Sequence, residues 1–245
     1  MTAQRSILML SVGLAVFYVW LRGGFIGIGT TAAAAQLPTL QPGWEKATFA
    51  MGCFWSAEAD FDKLPGVKFT TSGYTGGRLP NPSYEQVARG ATGHAEAVEV
   101  GFDPAIVSYE EVLDYFWHHI DPFVAHRQFC DVGQQYRPEI FVHSEAQRAA
   151  AEASRARVAM RFTEPIVVPI SRARIFYPAD ESHQDYYIKH PVQYRYYRWR
   201  CGRDERLRQI WGPEAATSEG ARRPGSWLEE LLAQRLPAPR SLDRS

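Results

Sequence analysis

Residues 45–64, EKATFAMGCFWSAEADFDKL, change hydrophobic period at one glycine, and that change decides the fold class. Residues 45–51 end in the apolar run TFAM and read as a strand. Gly52 turns the chain, after which Phe54, Ala57, Phe61 and Leu64 fall on one apolar stripe with helical spacing. Pro65-Gly66 closes that helix. A strand running into a helix through so tight a turn puts Cys53 at the helix start. Free amides and the helix dipole favour a thiolate there.

Beyond this helix, residues 67–72 read as a strand and residues 73–83, GYTGGRLPNPS, have loop composition. A short helix is expected at 84–89. Residues 95–102, AEAVEVGF, alternate: Glu96, Val98, Val100 and Phe102 share one face, whereas Ala95, Ala97 and Glu99 share the other. Ser108 and Glu111 form a capping box for a helix reaching 120. A polar loop at 121–135 leads to a strand near 136–143, and Ser144 with Gln147 caps a helix running to about 161. Two short strands, 166–170 and 173–177, read as a hairpin-like pair, followed by a helix at 182–189 and an aromatic, basic stretch at 193–200. From 217 the chain is rich in Pro, Arg and Ser and reads as a flexible tail, with a short amphipathic helix conceivable at 226–236. Interspersed strands and helices predict an α+β fold, a mixed β-sheet with helices packed on it.

The N-terminus is of a different kind. Arg5 precedes the apolar run ILMLSVGLAVFYVWL at 7–21, which is short beside the about 20 residues of a membrane span. With Ala33-x-Ala35 downstream it reads as a cleaved secretory signal over 1–35, and an uncleaved membrane anchor is the alternative. Either reading puts the globular part outside the cytosol, in a periplasmic or otherwise exported location. In the whole chain, 45% hydrophobic and 22% charged residues are ordinary for a globular protein. The net charge of zero asks for neither nucleic acid nor an anionic surface as partner. Three cysteines are too few for a disulfide scaffold, and the histidines lack metal-ligand spacing, so no metal or cofactor is expected.

Several side chains suit chemistry. Cys53 lies beside Phe54 and Trp55, aromatics fit to wall an apolar pocket. Glu96 sits on an apolar strand face, where loss of solvation raises a carboxyl pKa and makes a general acid. Tyr84 and Tyr136 are neutral donors for a polar oxygen, and Asp131 precedes Val132-Gly133 in a polar loop. Taken singly, each also fits a structural role: a core cysteine, a strand-end carboxylate, core aromatics, a turn aspartate.

Together, GCFWSAE (52–58), GYTGG (73–77), NPSYEQV (81–87), GHAEAVEV (93–100) and DVGQQYR (131–137) resemble the signature of the A-type peptide methionine sulfoxide reductases. The resemblance covers roughly 45–212 as a catalytic domain and implies a ferredoxin-like two-layer sandwich. It implies reduction of methionine S-sulfoxide, free or in oxidised proteins and peptides, without a cofactor. Cys53 would be the nucleophile, Glu96 the acid, Tyr84 and Tyr136 the oxygen-binding hydroxyls, Phe54 and Trp55 the methyl pocket, and Asp131 a pocket wall. Glu58 and His183 would support them. The Cys53 sulfenic acid would condense with a second thiol, and a thioredoxin-like reductant would restore the enzyme. Cys201, in CGRDERLRQIWG (201–212), is the favoured resolving thiol because it falls in a late, mobile-looking segment. Cys130 is a core thiol, a rival resolver or a spare. A thiol hydrolase and a peptide-binding module remain as competing readings. Methionine sulfoxide with dithiothreitol, before and after alkylation, separates all three.

Overall fold

The turn at Gly52 joins the central strand of a sheet to its first helix, and the remaining elements follow from it. In a computed structural model, residue 35, residues 37–212 and residue 215 are described. The apolar run 7–21, the tail from 217 and the helix conceived at 226–236 lie outside them. In chain order the elements are β1 (Glu45–Met51), α1 (Phe54–Phe61), β2 (Val67–Thr75), α2 (Tyr84–Ala88), β3 (Ala95–Phe102) and α3 (Tyr109–His118). A ribbon of β4 (Arg127–Gln128) and β5 (Asp131–Val132) and a 3-10 turn (Gln134–Tyr136) come next. Then follow β6 (Pro138–Val142), α4 (Glu145–Ala159), β7 (Ile170–Arg172), β8 (Tyr177–Pro178), α5 (Tyr186–Lys189), α6 (Pro191–Arg200) and α7 (Arg203–Trp211). Among the described residues no helix is long and apolar enough to cross a membrane.

The main sheet has the order β7-β6-β1-β3-β2-β8. Its pairings are antiparallel except the edge pair β6 and β7, so the sheet is mixed and the fold is α+β. On one face Phe49, Val98, Val100 and Phe102 meet Phe61 of α1, Leu113, Phe116 and Trp117 of α3, and Ala151 of α4. Phe49 stacks on both Phe61 and Phe116, with centroids 5.2 and 5.0 Å away. Each such fully buried side chain contributes about 1.5–3 kcal/mol relative to exposure.

The opposite face is covered too. Ala50, Ala95, Ala97 and Phe141 lie under Ala173 and Phe176 of the segment between β7 and β8. Every residue of β3 is therefore buried, including Glu99, which pairs with Lys46 at 3.1 Å. The face that Glu99 shares with Ala95 and Ala97 is thus a second buried face, because β3 is a central strand. Both Ser108 and Ser83 complete capping boxes, with Glu111 and Gln86. Ser144 caps α4 through the Gln147 amide. Strand β2 continues to Thr75, so the glycine-rich loop begins later than composition suggests. The late strands are no hairpin: β7 runs parallel to β6 at one edge, and β8 pairs with β2 at the other. Composition cannot separate these placements, because both are short edge strands.

The C-terminal helices are anchored rather than loose. Leu207 and Trp211 of α7 enter the core, and Arg203 donates to the carbonyls of Met51 at 3.2 Å and His119 at 2.8 Å. Asp60 of α1, fully buried, binds Arg198 of α6 at 2.9 Å and Arg203 at 3.6 Å. Burial alone would raise the Asp60 pKa, but the charges of Arg198, His119 and Arg203 hold it below its ordinary value. Removing one partner of such a cluster leaves charges uncompensated, at a cost of about 3–5 kcal/mol. Asp60→Asn should therefore lower the melting temperature by on the order of 10 °C. A change within a degree or two in calorimetry would contradict this account.

Candidate active site

Gly52 has φ +85°, and a Cβ there would sit 2.6 Å from the Cβ of Gln128, so both backbone and space demand glycine. Cys53 follows as the N-cap of α1, its carbonyl accepting from the amides of Ser56 and Ala57. The next amide, that of Phe54, donates to Glu96 Oε2 at 3.0 Å. Glu96 lies at the end of β3, opposite Tyr74 of β2, and is 1% exposed. The alternation of 95–102 thus delivers its carboxyl to the start of α1, and the first free amide of the helix receives it.

Burial, with a smaller push from Asp131, raises the Glu96 pKa to about 8 against the pull of the Phe54 amide. The carboxyl is mostly protonated near neutral pH, as its strand face predicts. The Cys53 thiol departs from expectation. Burial foremost, then the carboxyls of Glu96 and Asp131, push its pKa well up, and bonds from Tyr197 and the Trp55 amide offset only part. Cys53 is only 6% exposed and the Phe54 amide is occupied, so desolvation outweighs the dipole of a two-turn helix. At rest the site holds two neutral acids side by side.

Around them is an aromatic wall. Phe54 packs on Tyr74, Tyr84 and His183, with centroids 5.7, 6.4 and 5.5 Å away. Trp55 stacks on Tyr186 at 3.7 Å and donates through its indole to His183 Nδ1 at 3.2 Å. That bond needs an unprotonated Nδ1, and burial lowers the His183 pKa accordingly. Burial and then Glu96 raise Tyr84 to about 12 and push Tyr136 up as well, so both remain hydroxyl donors. Glu58 accepts from the Asp185 amide at 2.9 Å and ties α1 to the turn before α5. The folded chain therefore gathers Cys53, Tyr84, Glu96, Asp131 and Tyr136 into one electrostatically coupled cluster, with Phe54 and Trp55 packed against it.

The sulfurs are arranged differently from expectation. Cys201 is bonded to Cys130, with Cα atoms 4.8 Å apart, and Cys53 is free. Rather than floating, Cys201 is held between α6 and the anchored α7. Asp131 accepts a short hydrogen bond from the Tyr197 hydroxyl. Among the described residues, Cys130, Asp131 and Cys201 form one group of potential metal ligands within 4.8 Å of each other. While the two sulfurs are joined to each other they are not thiolate ligands. Sequence reading missed Tyr197, Tyr186 and Tyr74. The hydroxyl of Tyr74 is buried beside Glu96 without a partner among the described residues. The aromatic spacing of 193–200 was the available signal for Tyr197, but nothing local says which of its tyrosines turns inward.

This acid, thiol and aromatic constellation coincides with a family match: the profile described as peptide methionine sulfoxide reductase covers residues 45–215. The chain belongs to that family. Peptide methionine sulfoxide reductase MsrA of Listeria innocua is 47% identical over 169 residues, 68% of this chain and 96% of its own length. MsrA of Bacillus licheniformis is 47% identical over 170 residues, 69% of this chain and 94% of its own. Against the MsrA/MsrB protein of Vibrio cholerae, 44% identical over 193 residues, the match takes in 78% of this chain and 50% of the relative's length. Methionine sulfoxide reductase A of Corynebacterium diphtheriae shares the fold with a TM-score of 0.54 and 34% identity, over 62% of this chain and 77% of its own. Reduced Mxr1 of Saccharomyces cerevisiae has a TM-score of 0.60 and 29% identity, over 63% and 90% respectively. The family's reaction, thiol-dependent reduction of methionine sulfoxide, is the reaction of this enzyme.

The raised Glu96 pKa has a consequence for stability. A carboxyl whose pKa rises from 4.5 to about 8 on folding contributes stability present below the lower value and lost as pH climbs toward the upper one. Gln carries no such dependence. Glu96→Gln should therefore melt progressively higher relative to the wild type as pH rises from about 5 to about 8. An unchanging difference in melting temperature across that window would refute the assignment.

Proposed function

We propose that the chain reduces the S epimer of methionine sulfoxide, free or in oxidised proteins, with Cys53 as nucleophile and Glu96 as general acid. The observation that carries this reading is the hydrogen bond from the Phe54 amide to Glu96, which holds a buried, protonated carboxyl next to the free thiol. Sulfoxide oxygen leaves sulfur only once protonated, and Glu96 supplies that proton. The Cys53 sulfur, its proton drawn off as Glu96 empties, attacks the sulfoxide sulfur. The balance is one sulfoxide and one thiol giving one thioether and one sulfenic acid, with Cys53 oxidised by two electrons. Tyr84 and Tyr136 hold the oxygen, and Phe54 and Trp55 enclose the methyl group. Only one epimer then sets its oxygen toward the hydroxyls and its sulfur toward Cys53.

Recycling uses the other two cysteines. The Cys201 thiol condenses with the sulfenic acid, releasing water and forming Cys53–Cys201. The Cys130 thiol then displaces Cys53 and leaves the Cys130–Cys201 bond, consistent with the sulfur pairing described above. A thioredoxin-like dithiol reduces that bond at the exposed Cys130. The apolar run 7–21 and Ala33-x-Ala35 support a place outside the cytosol, reached by signal cleavage or with the segment kept as an anchor. Mass measurement of the N-terminus of the exported form distinguishes these.

Cys53→Ser should abolish turnover, and more than a few per cent of residual activity would exclude Cys53 as nucleophile. In a single-turnover assay Glu96→Gln should slow methionine release by roughly 100- to 10,000-fold. A rate within about threefold of wild type, far below that range, counts against acid catalysis. A chiral assay should find the S epimer consumed and the R epimer left, and equal consumption would defeat the pocket geometry.

A further inference from the structure

Two side chains, Asp131 at the edge of the pocket and Tyr197 of α6, lie between Cys53 and the disulfide. Tyr197 points inward from α6, with its ring edge against Trp55 at 5.9 Å. Its ring packs in the cluster that holds Cys53, and its hydroxyl donates to Asp131 Oδ2. The other oxygen of that carboxyl, Oδ1, lies 3.8 Å from the sulfur of Cys130. Cys201 follows Tyr197 by one helical turn, its amide bonded to the Tyr197 carbonyl at 2.9 Å. The result is a line of groups from Cys130 through Asp131 to Tyr197, whose ring packs beside Cys53.

We propose that Asp131 and Tyr197 form a proton bridge between Cys130 and Cys53, with Asp131 as the base that frees the Cys130 thiolate and Tyr197 as the hydroxyl that reprotonates Cys53. The proposal rests on the recycling sequence above and concerns its exchange step. There the Cys130 thiol and the Cys53–Cys201 disulfide give the Cys53 thiol and the Cys130–Cys201 disulfide. One sulfur–sulfur bond forms, one breaks, and one proton moves from Cys130 to Cys53.

Both ends of the path need help. A cysteine thiol with an ordinary pKa of about 8.5 is only a few per cent ionised at neutral pH, so an adjacent base speeds its attack. The departing Cys53 sulfur emerges where burial and Glu96 penalise negative charge, so it must receive a proton as it leaves. Asp131, itself partly buried and raised in pKa by that burial, takes the proton from Cys130. It then passes one to Tyr197 as Tyr197 gives its own to Cys53. No net charge has to enter or leave the pocket. Tyr197 faces inward although Tyr196, its neighbour, is exposed, as successive residues of a helix point about 100° apart.

The test uses fully reduced enzyme, freed of reductant and mixed with one equivalent of methionine sulfoxide. Samples are quenched and alkylated over time, and peptide mass mapping follows free Cys53 and the two linked species. Methionine in the same samples reports the sulfoxide step, so its absence with the wild type would overturn the underlying reading as a separate matter. Relative to methionine release, Tyr197→Phe and Asp131→Asn should accumulate the Cys53–Cys201 species and form Cys130–Cys201 about 100-fold more slowly than wild type, as for a lost acid–base group. In Asp131→Ala, added formate should restore much of the exchange rate while chloride should not. Exchange within about threefold of wild type in Tyr197→Phe and Asp131→Asn, both melting near the wild type, would overturn the bridge. So would an Asp131→Ala enzyme indifferent to formate, since a purely structural role is not replaced by a free carboxylate.

Discussion

The buried Asp60 carboxylate and the two arginines that answer it are the constraint on which the site depends. Arg198 and Arg203 come from helices at the end of the described chain, and Asp60 from the helix that begins at Cys53. Charges of this kind are costly to bury and more costly to leave unpaired. They therefore act less as a source of net stability than as a demand that α6 and α7 sit in one place. Arg203 adds a direct contact by donating to Met51, two residues before Cys53, while its guanidinium lies 4.5 Å over the ring of Phe129, next to Cys130. A single side chain thus touches the approach to Cys53 and the approach to the disulfide.

What that arrangement encloses is a buried carboxyl beside a buried thiol, and burial sets their protonation. Burial raises the pKa of Glu96 and Cys53 together, so near neutral pH both groups keep their protons. The same burial makes the folded state less favourable above acid pH, a local sacrifice of stability for a carboxyl in the required protonation state. The Phe54 amide moderates the effect: it anchors the carboxyl and keeps its pKa from rising further. The helix start serves mainly to hold the acid rather than to ionise the thiol.

Much of this was readable along the chain because the relevant signals are local. The period change at Gly52, the Ser108 and Ser144 caps and the alternation through Glu96 depend on residues within a few positions of each other. The alternation also carried the pKa argument, since a carboxyl on an apolar face loses solvation whatever packs on it. Reading failed where the outcome depended on distant partners. Alternation put Glu99 on the face opposite Glu96 but could not say that the segment holding Phe176 covers that face too, and the late strands looked like a hairpin although they close opposite edges.

The distinction is sharpest for the three sulfurs and the tyrosines around them. Spacing and local periodicity were enough to mark Cys53 as a helix-start thiol and Glu96 as a buried acid. The family motifs then named their reaction. Which sulfur lies next to which was decided by folding alone, because Cys130 and Cys201 are separated by 71 residues and meet only when α7 docks on the core. Tyr197 is the same case. Among the tyrosines of α6, its inward direction follows from the rotation of a helix whose orientation is imposed by Arg198 on Asp60. Local sequence carries a residue's chemistry and its place in a period, whereas the identity of its neighbour is a property of the packed chain.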